Sequence, residues 1–265
     1  MSKIDQLFQK LRAAGQKAFM PFVTAGDPDL EFTAACIREL DGRGCHLCEV
    51  GVPYSDPIAD GPVIQASYTR ALQNKIKVPR ILDTLSGLTA EIQMPLVTMV
   101  SYAIIFRYGL ERYVAAAKAA GVAGAIVPDL LVDEAGTLAD ICRAEDFSLI
   151  QLCTPTTPRD RALRIAESSS GFLYYVSVTG ITGERTELPP ELIDNVGWLR
   201  EQTELPICIG FGISTPAHVK LLAPVADGLI VGSAIVRRIA EVDRRSREEV
   251  LGDVGAYASE LLAAM

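Results

Sequence analysis

The chain has 265 residues, 49% hydrophobic and 22% charged, with 25 Lys and Arg against 33 Asp and Glu. A formal charge of -8 offers no cationic footprint for nucleic acid or an anionic membrane surface, and the apolar content excludes a disordered chain. The length suits a parallel barrel of alternating strands and helices, so a single domain over residues 1–265 is expected.

The first eight residues carry charges where a secretory signal has a continuous apolar stretch. Nothing later approaches the roughly 18 apolar residues of a membrane span, which makes a cytoplasmic location the expectation. Ile4, Leu7, Phe8 and Leu11 have the i, i+3, i+4, i+7 spacing of one helical face, and predict a helix that plugs the bottom of the fold. Short apolar runs follow at 18–23, 46–50, 95–101, 123–128, 148–153, 171–177, 206–210 and 226–231. Between them lie helical patterns at 29–43, 61–73, 109–120, 133–145, 158–168, 190–202 and 215–222, with an added helix over 78–92. Near-continuous apolar strands alternating with helices predict an α/β fold, a (β/α)8 TIM barrel with an extra N-terminal helix and added helices in the βα connections. An open doubly wound sheet is the alternative.

Six cysteines, Cys36, Cys45, Cys48, Cys142, Cys153 and Cys208, are too sparse for a disulfide scaffold and read as reduced core thiols. Cys45-His46-Leu47-Cys48 has zinc-like spacing, but no second pair follows and the other histidine, His218, is far along the chain. No metal site is expected.

In barrels of this kind the chemistry sits on the loops that follow the strands. The segment 49–62 runs from a buried strand into a polar loop with a carboxylate at each end, Glu49 and Asp60. A carboxylate in an apolar mouth has its charged form disfavoured by desolvation, which raises its pKa and suits it to proton transfer. Tyr174 falls near the end of the sixth run, ahead of a long Gly-punctuated stretch to Pro189 that suggests a movable lid. Gly210-Phe211-Gly212 after the seventh run and Gly232-Ser233 after the eighth both open helices. Paired glycine turns at those two places of a barrel favour a bound phosphate.

These residues, with Pro21 to Pro28 after the first strand, resemble the tryptophan synthase alpha-subunit family over nearly the whole chain. The 49–62 stretch is the most specific part of the match. The resemblance implies a lyase of tryptophan biosynthesis that cleaves indole-3-glycerol phosphate to indole and glyceraldehyde 3-phosphate by a retro-aldol step, without a cofactor in this subunit. It implies Glu49 as the proton shuttle, Asp60 as acceptor of the indole N1–H and Tyr174 as a supporting active-site residue. Phe22, Val100 and Ile126 would form the indole slot. Gly183, Gly212, Gly232 and Ser233 would hold the phosphate beside Phe211, with Thr182 in the lid. It further implies a pyridoxal-phosphate beta subunit as partner in a heterotetramer that receives the indole.

Taken without the resemblance, Glu49 fits an ion pair in the barrel mouth and Asp60 fits an N-cap of the helix at Gly61-Pro62. Tyr174, Phe22, Val100 and Ile126 fit plain core packing. The chain departs from the family after Tyr102, where many members have Asn-Pro and this chain has Ala103-Ile104, at Leu131, where they have proline, and at Val178, where some have arginine. Ile104 and Leu131 are expected to be exposed on the partner surface. A free-standing lyase that releases indole is one rival reading. Another is a non-catalytic phospholigand-binding regulatory barrel, which has no use for a proton shuttle.

Overall fold

A computed structural model describes residues 1–57, 60–177, 190–210 and 212–265. Nine parallel strand segments are present among the described residues: β1 Ala18–Thr24, β2 Cys48–Gly51, β3 Leu96–Met99, β4 Gly124–Ile126, β5 Ser148–Ile150, β6 Leu152–Cys153, β7 Leu173–Val176, β8 Ile207–Gly210 and β9 Gly228–Val231. They run in the order β5-β4-β3-β2-β1-β9-β8-β7-β6. The two ends of that order, β5 and β6, are separated only by Gln151, so the sheet closes on itself. Ile150 accepts a hydrogen bond from Val127 N at 3.3 Å on one side, and Gln151 accepts one from Tyr174 N at 3.1 Å on the other. The run 148–153 is therefore one stave whose first half pairs with β4 and whose second half pairs with β7. The architecture is the (β/α)8 TIM barrel; the open sheet is excluded by this closure.

Alternation along each strand separates two apolar layers. Ala18, Met20, Leu47, Val97, Ile150, Phe172, Cys208 and Ile230 pack inside the barrel, while Phe19, Val23, Val50, Leu149, Leu173, Ile209 and Leu229 pack outward against the helices. Every residue of β1 is buried, as expected of a sheet covered on both faces. The inner layer is sealed at the strand N-termini by α1 (Lys3–Ala13), whose Ile4, Phe8 and Leu11 join that cluster. Phe8 meets Phe172 with ring centroids 5.9 Å apart, and the Ser148 hydroxyl donates to Ser2 Oγ at 3.2 Å. The helix starts at a capping box: Ser2 Oγ accepts from Asp5 N and Asp5 Oδ2 accepts from Ser2 N.

Around the barrel run α2 (Leu30–Gly42), α3 (Pro62–Gln73), α4 (Val78–Thr89), α5 (Tyr102–Tyr108), α6 (Leu110–Ala119), α7 (Gly136–Ala144), α8 (Arg159–Ser168), α9 (Pro190–Gln202), α10 (Pro216–Leu222), α11 (Ser233–Ile239) and α12 (Arg247–Leu262). Two of these, α5 and α12, lie outside the expected helical patterns. The short α5 is set by its ends: Asp129, from the loop after β4, accepts from Tyr102 N at 2.7 Å and from the Ser101 hydroxyl at 2.6 Å. The long α12 begins at a second capping box, Ser246 with Glu249, and its Tyr257 hydroxyl donates to Ser214 O at 3.0 Å. Ile104 is half-buried against the outer core rather than exposed, because α5 turns it inward. The exposed apolar side chains on these loops are Phe106 (67%) and Leu131 (56%).

All six cysteines are free and buried. Cys45 precedes β2 and Cys48 opens it, while His46 Nδ1 accepts from Phe19 N at 3.0 Å, which ties that histidine to the backbone. No three His, Cys, Asp or Glu side chains are grouped to hold a metal ion among the described residues. No helix among them is long and apolar enough to cross a membrane.

Candidate active site

A cavity of about 360 Å³ opens at the C-terminal mouth of the barrel. Its floor is made of inward-facing strand residues: Phe22 of β1, Glu49 of β2, Met99 of β3, Tyr174 of β7 and Ile230 of β9. One part of the wall is the start of α3, from Asp60 to Ile64, and another is Gly212 after β8 together with Gly232 and Ser233 of the β9–α11 turn and Arg237 of α11. The parallel register sets Glu49 beside Phe22 on one side and Val97 on the other, inside an apolar ring.

Two close approaches shape the floor. A Cβ on Gly51 would stand 2.4 Å from Phe22 Cζ, and a Cβ on Gly210 would stand 2.3 Å from Tyr174 Oη. Both glycines leave room for an aromatic side chain from the neighbouring strand to lie across the sheet.

Glu49 is fully buried, and neither carboxyl oxygen has a hydrogen-bond partner among the described residues. Burial without a countercharge among the described residues pushes its pKa well above the usual carboxylate range. A buried polar group left unpaired is destabilising by about 1–3 kcal/mol, and here it faces a cavity that a ligand can fill. Asp60 is half-buried, and desolvation raises its pKa less, to about 6. The two carboxyl groups are thus unequally desolvated. Both bear on a common neighbour: the Tyr174 hydroxyl is pushed up first by burial and then by Glu49 and Asp60. Tyr68 of α3 responds in the same way, to burial and then to Asp60 and Glu49.

The ion-pair and N-cap readings of the two carboxylates do not hold. No cation pairs with Glu49 among the described residues, and the N-cap of α3 is Gly61, with no side-chain cap hydrogen bond. Asp60 is fixed through its backbone instead, its N donating to Pro57 O at 3.1 Å and its carbonyl accepting from Gln65 Nε2 at 2.8 Å. The carboxylate is left facing the cavity.

The remaining expectations separate. Val100 faces the outer layer and lines a neighbouring cavity of about 170 Å³, which shares Asp60 and Met99 with the first. Ile126 is fully buried in the inner core and lines neither cavity. Thr182, Gly183 and Phe211 lie outside the described residues, as do Val178 and the rest of the stretch expected to act as a lid.

Several lining residues escaped the motif reading. Met99 ends β3 and Arg237 lies four residues beyond Ser233, positions that strand-end and helical spacing identify only once the strands are located. A supporting pair also emerges. Asp27, in the loop after β1, receives Arg70 Nε at 2.8 Å and Nη2 at 2.6 Å, with its side chain 1% exposed. This bidentate pair fastens the β1 loop to α3, the helix that carries Asp60 at its entrance.

A parallel barrel with two unequally desolvated carboxyl groups on one cavity at its C-terminal mouth defines a TIM-barrel enzyme of acid–base type. The model of the tryptophan synthase alpha chain family matches residues 8–265. The tryptophan synthase alpha chain of Rhodopirellula baltica is 60% identical over 263 residues, covering 98% of this chain and 95% of that protein. The crystal structure of tryptophan synthase subunit alpha from Legionella pneumophila superposes with a TM-score of 0.91 at 34% identity, covering 100% of this chain and 98% of that one. A structure of the tryptophan synthase alpha2-beta2 complex from Pyrococcus furiosus, concerned with its mutual activation, matches with a TM-score of 0.86 at 36% identity over 93% of this chain and 98% of that one. The chain belongs to the tryptophan synthase alpha chain family.

Proposed function

We propose that this cavity cleaves indole-3-glycerol phosphate to indole and glyceraldehyde 3-phosphate, with Glu49 and Asp60 dividing the proton work. The observation that carries the reading is Glu49, fully buried, with both carboxyl oxygens unpaired among the described residues and facing the cavity that Asp60 also lines. Asp60, as the anion, accepts a hydrogen bond from the indole N1–H and raises the electron density at C3. Glu49, which starts protonated, delivers its proton to C3. Its carboxylate then removes the proton of the hydroxyl on the side-chain carbon attached to C3. The O–H pair becomes the aldehyde C=O, the carbon–carbon bond breaks, and its electron pair returns to the protonated indole ring. Glu49 ends with the proton it took from the hydroxyl, so the step balances without a further reactant.

Tyr174 bounds the reacting end, and Phe22 and Met99 give it an apolar wall. Gly212, Gly232 and Ser233 supply backbone groups for the phosphate, which holds the substrate in register with the carboxyl groups. The exposed Phe106 and Leu131, on the loops after β3 and β4, support a docking rim for a pyridoxal-phosphate beta subunit in a heterotetramer.

The test is to incubate the purified chain with indole-3-glycerol phosphate and follow indole release, with and without a beta subunit. Release that rises on adding the partner is expected, together with co-elution of the two chains in gel filtration. Glu49→Gln should keep ligand affinity and lose about 100-fold or more of the turnover. Unchanged turnover in that variant would overturn the assigned role.

A further inference from the structure

We propose that Arg237 is a specificity-determining residue for the phosphate end of this cavity, supplying the cationic contact that selects a phosphorylated tail. The inference rests on the cavity's proposed reading as an indole-3-glycerol phosphate site. Arg237 lies one helical turn beyond Ser233 on α11, so the two share a face. It lines the cavity with Gly212, Gly232 and Ser233, and is the only lysine or arginine among the described lining residues.

Its neighbour shows what a structurally engaged arginine looks like in the same helix. Arg238 donates to Ala234 O at 3.0 Å, pairs with Asp253 at 3.8 Å and lays its guanidinium 3.4 Å from the centroid of the Tyr257 ring. Arg237 makes no hydrogen bond or ion pair among the described residues. It is an exposed cation lining the cavity, with its donors unengaged among the described residues.

The electrostatics of the site give that cation a use. The cavity contains two carboxyl groups in a protein of net charge -8, and a phosphate dianion entering it meets repulsion from ionised Asp60. Arg237 lines the cavity on α11, beside the glycine turns, while Asp60 lines it ahead of the neighbouring α3. It offsets the repulsion where the phosphate sits and leaves the indole end untouched. A guanidinium also offers paired donors to phosphate oxygens, which neutral backbone turns do not. The cation therefore fixes which end of the substrate goes where. A surface arginine kept only for solubility would change no ligand's affinity selectively.

The experiment uses the full chain, indole-3-glycerol phosphate as substrate, and glycerol 3-phosphate and indole as separate binding probes. For Arg237→Gln, a rise of about tenfold is expected in KM for the substrate and in Kd for glycerol 3-phosphate, with kcat and indole affinity within about twofold. The salt dependence of glycerol 3-phosphate binding should weaken, and Arg237→Lys should recover most of the loss. Arg143→Gln, an equal charge change on the far-exposed α7, should leave both constants unaltered. Unchanged glycerol 3-phosphate affinity in Arg237→Gln, or equal losses for glycerol 3-phosphate and indole, overturns the inference while an active wild-type chain leaves the parent reading standing. A wild-type chain that neither cleaves the substrate nor binds glycerol 3-phosphate overturns both.

Discussion

Glu49 and Asp60 come from one stretch of chain yet meet different surroundings, and that difference supports the roles proposed for them. Glu49 points into the barrel, where nothing replaces the water it loses; Asp60 stands at the wall, where part of its hydration survives. Desolvation raises both pKa values, that of Asp60 to about 6. Since the ionised form is the one that accepts the indole N1–H, kcat should rise with pH through about 6 and level off above it. In Asp60→Asn the rate should fall by about 100-fold and that rise should vanish. Persistence of the same rise in the variant would assign it to another group, the substrate phosphate included, and contradict the role given to Asp60. The 49–62 motif made these two residues legible in the sequence. Their freedom from local partners was not, since an Asp before Gly-Pro fits an N-cap until the cap is seen to be Gly61.

Among the elements, the legible ones are those whose burial is periodic. The apolar runs and the α1 face specify themselves through alternation and 3.6-residue spacing. The short α5 does not, because it is held by Asp129 from the next loop rather than by a face of its own. Ile104 is turned inward for that reason, while Phe106 takes the exposed place. Val100 and Ile126 miss the main cavity for a related reason: strand sequence gives the alternation but not which end of the barrel, or which layer, a side chain reaches. Packing between β7 and β8 is equally hidden in sequence. Gly210→Ala places a methyl 2.3 Å from the position of Tyr174 Oη, so the ring or a strand must shift. A loss of about 1–3 kcal/mol in urea unfolding is expected, with a fall in kcat/KM from the displaced Tyr174. Full stability and activity in that variant would contradict the close approach of the two strands.

At the scale of the whole molecule, closure of the barrel is what brings the ends of β1, β2, β3, β7 and β9 around one opening. The seam at Gln151 completes the ring, α1 seals the far end, and the Asp27–Arg70 pair locks the β1 loop against α3. The two carboxyl groups and the glycine turns are thereby brought to one cavity, a relation between distant segments that no local motif encodes. The central claim is that a substrate anchored by its phosphate presents its indole ring to both carboxyl groups at once. The most direct measurement is a crystal structure of Glu49→Gln with indole-3-glycerol phosphate bound. It should show the phosphate against Gly212, Gly232 and Ser233, the indole N1 within hydrogen-bond reach of the Asp60 carboxylate, and the side chain of residue 49 beside C3. A ligand whose phosphate lies elsewhere, or whose indole touches neither position, would contradict the account.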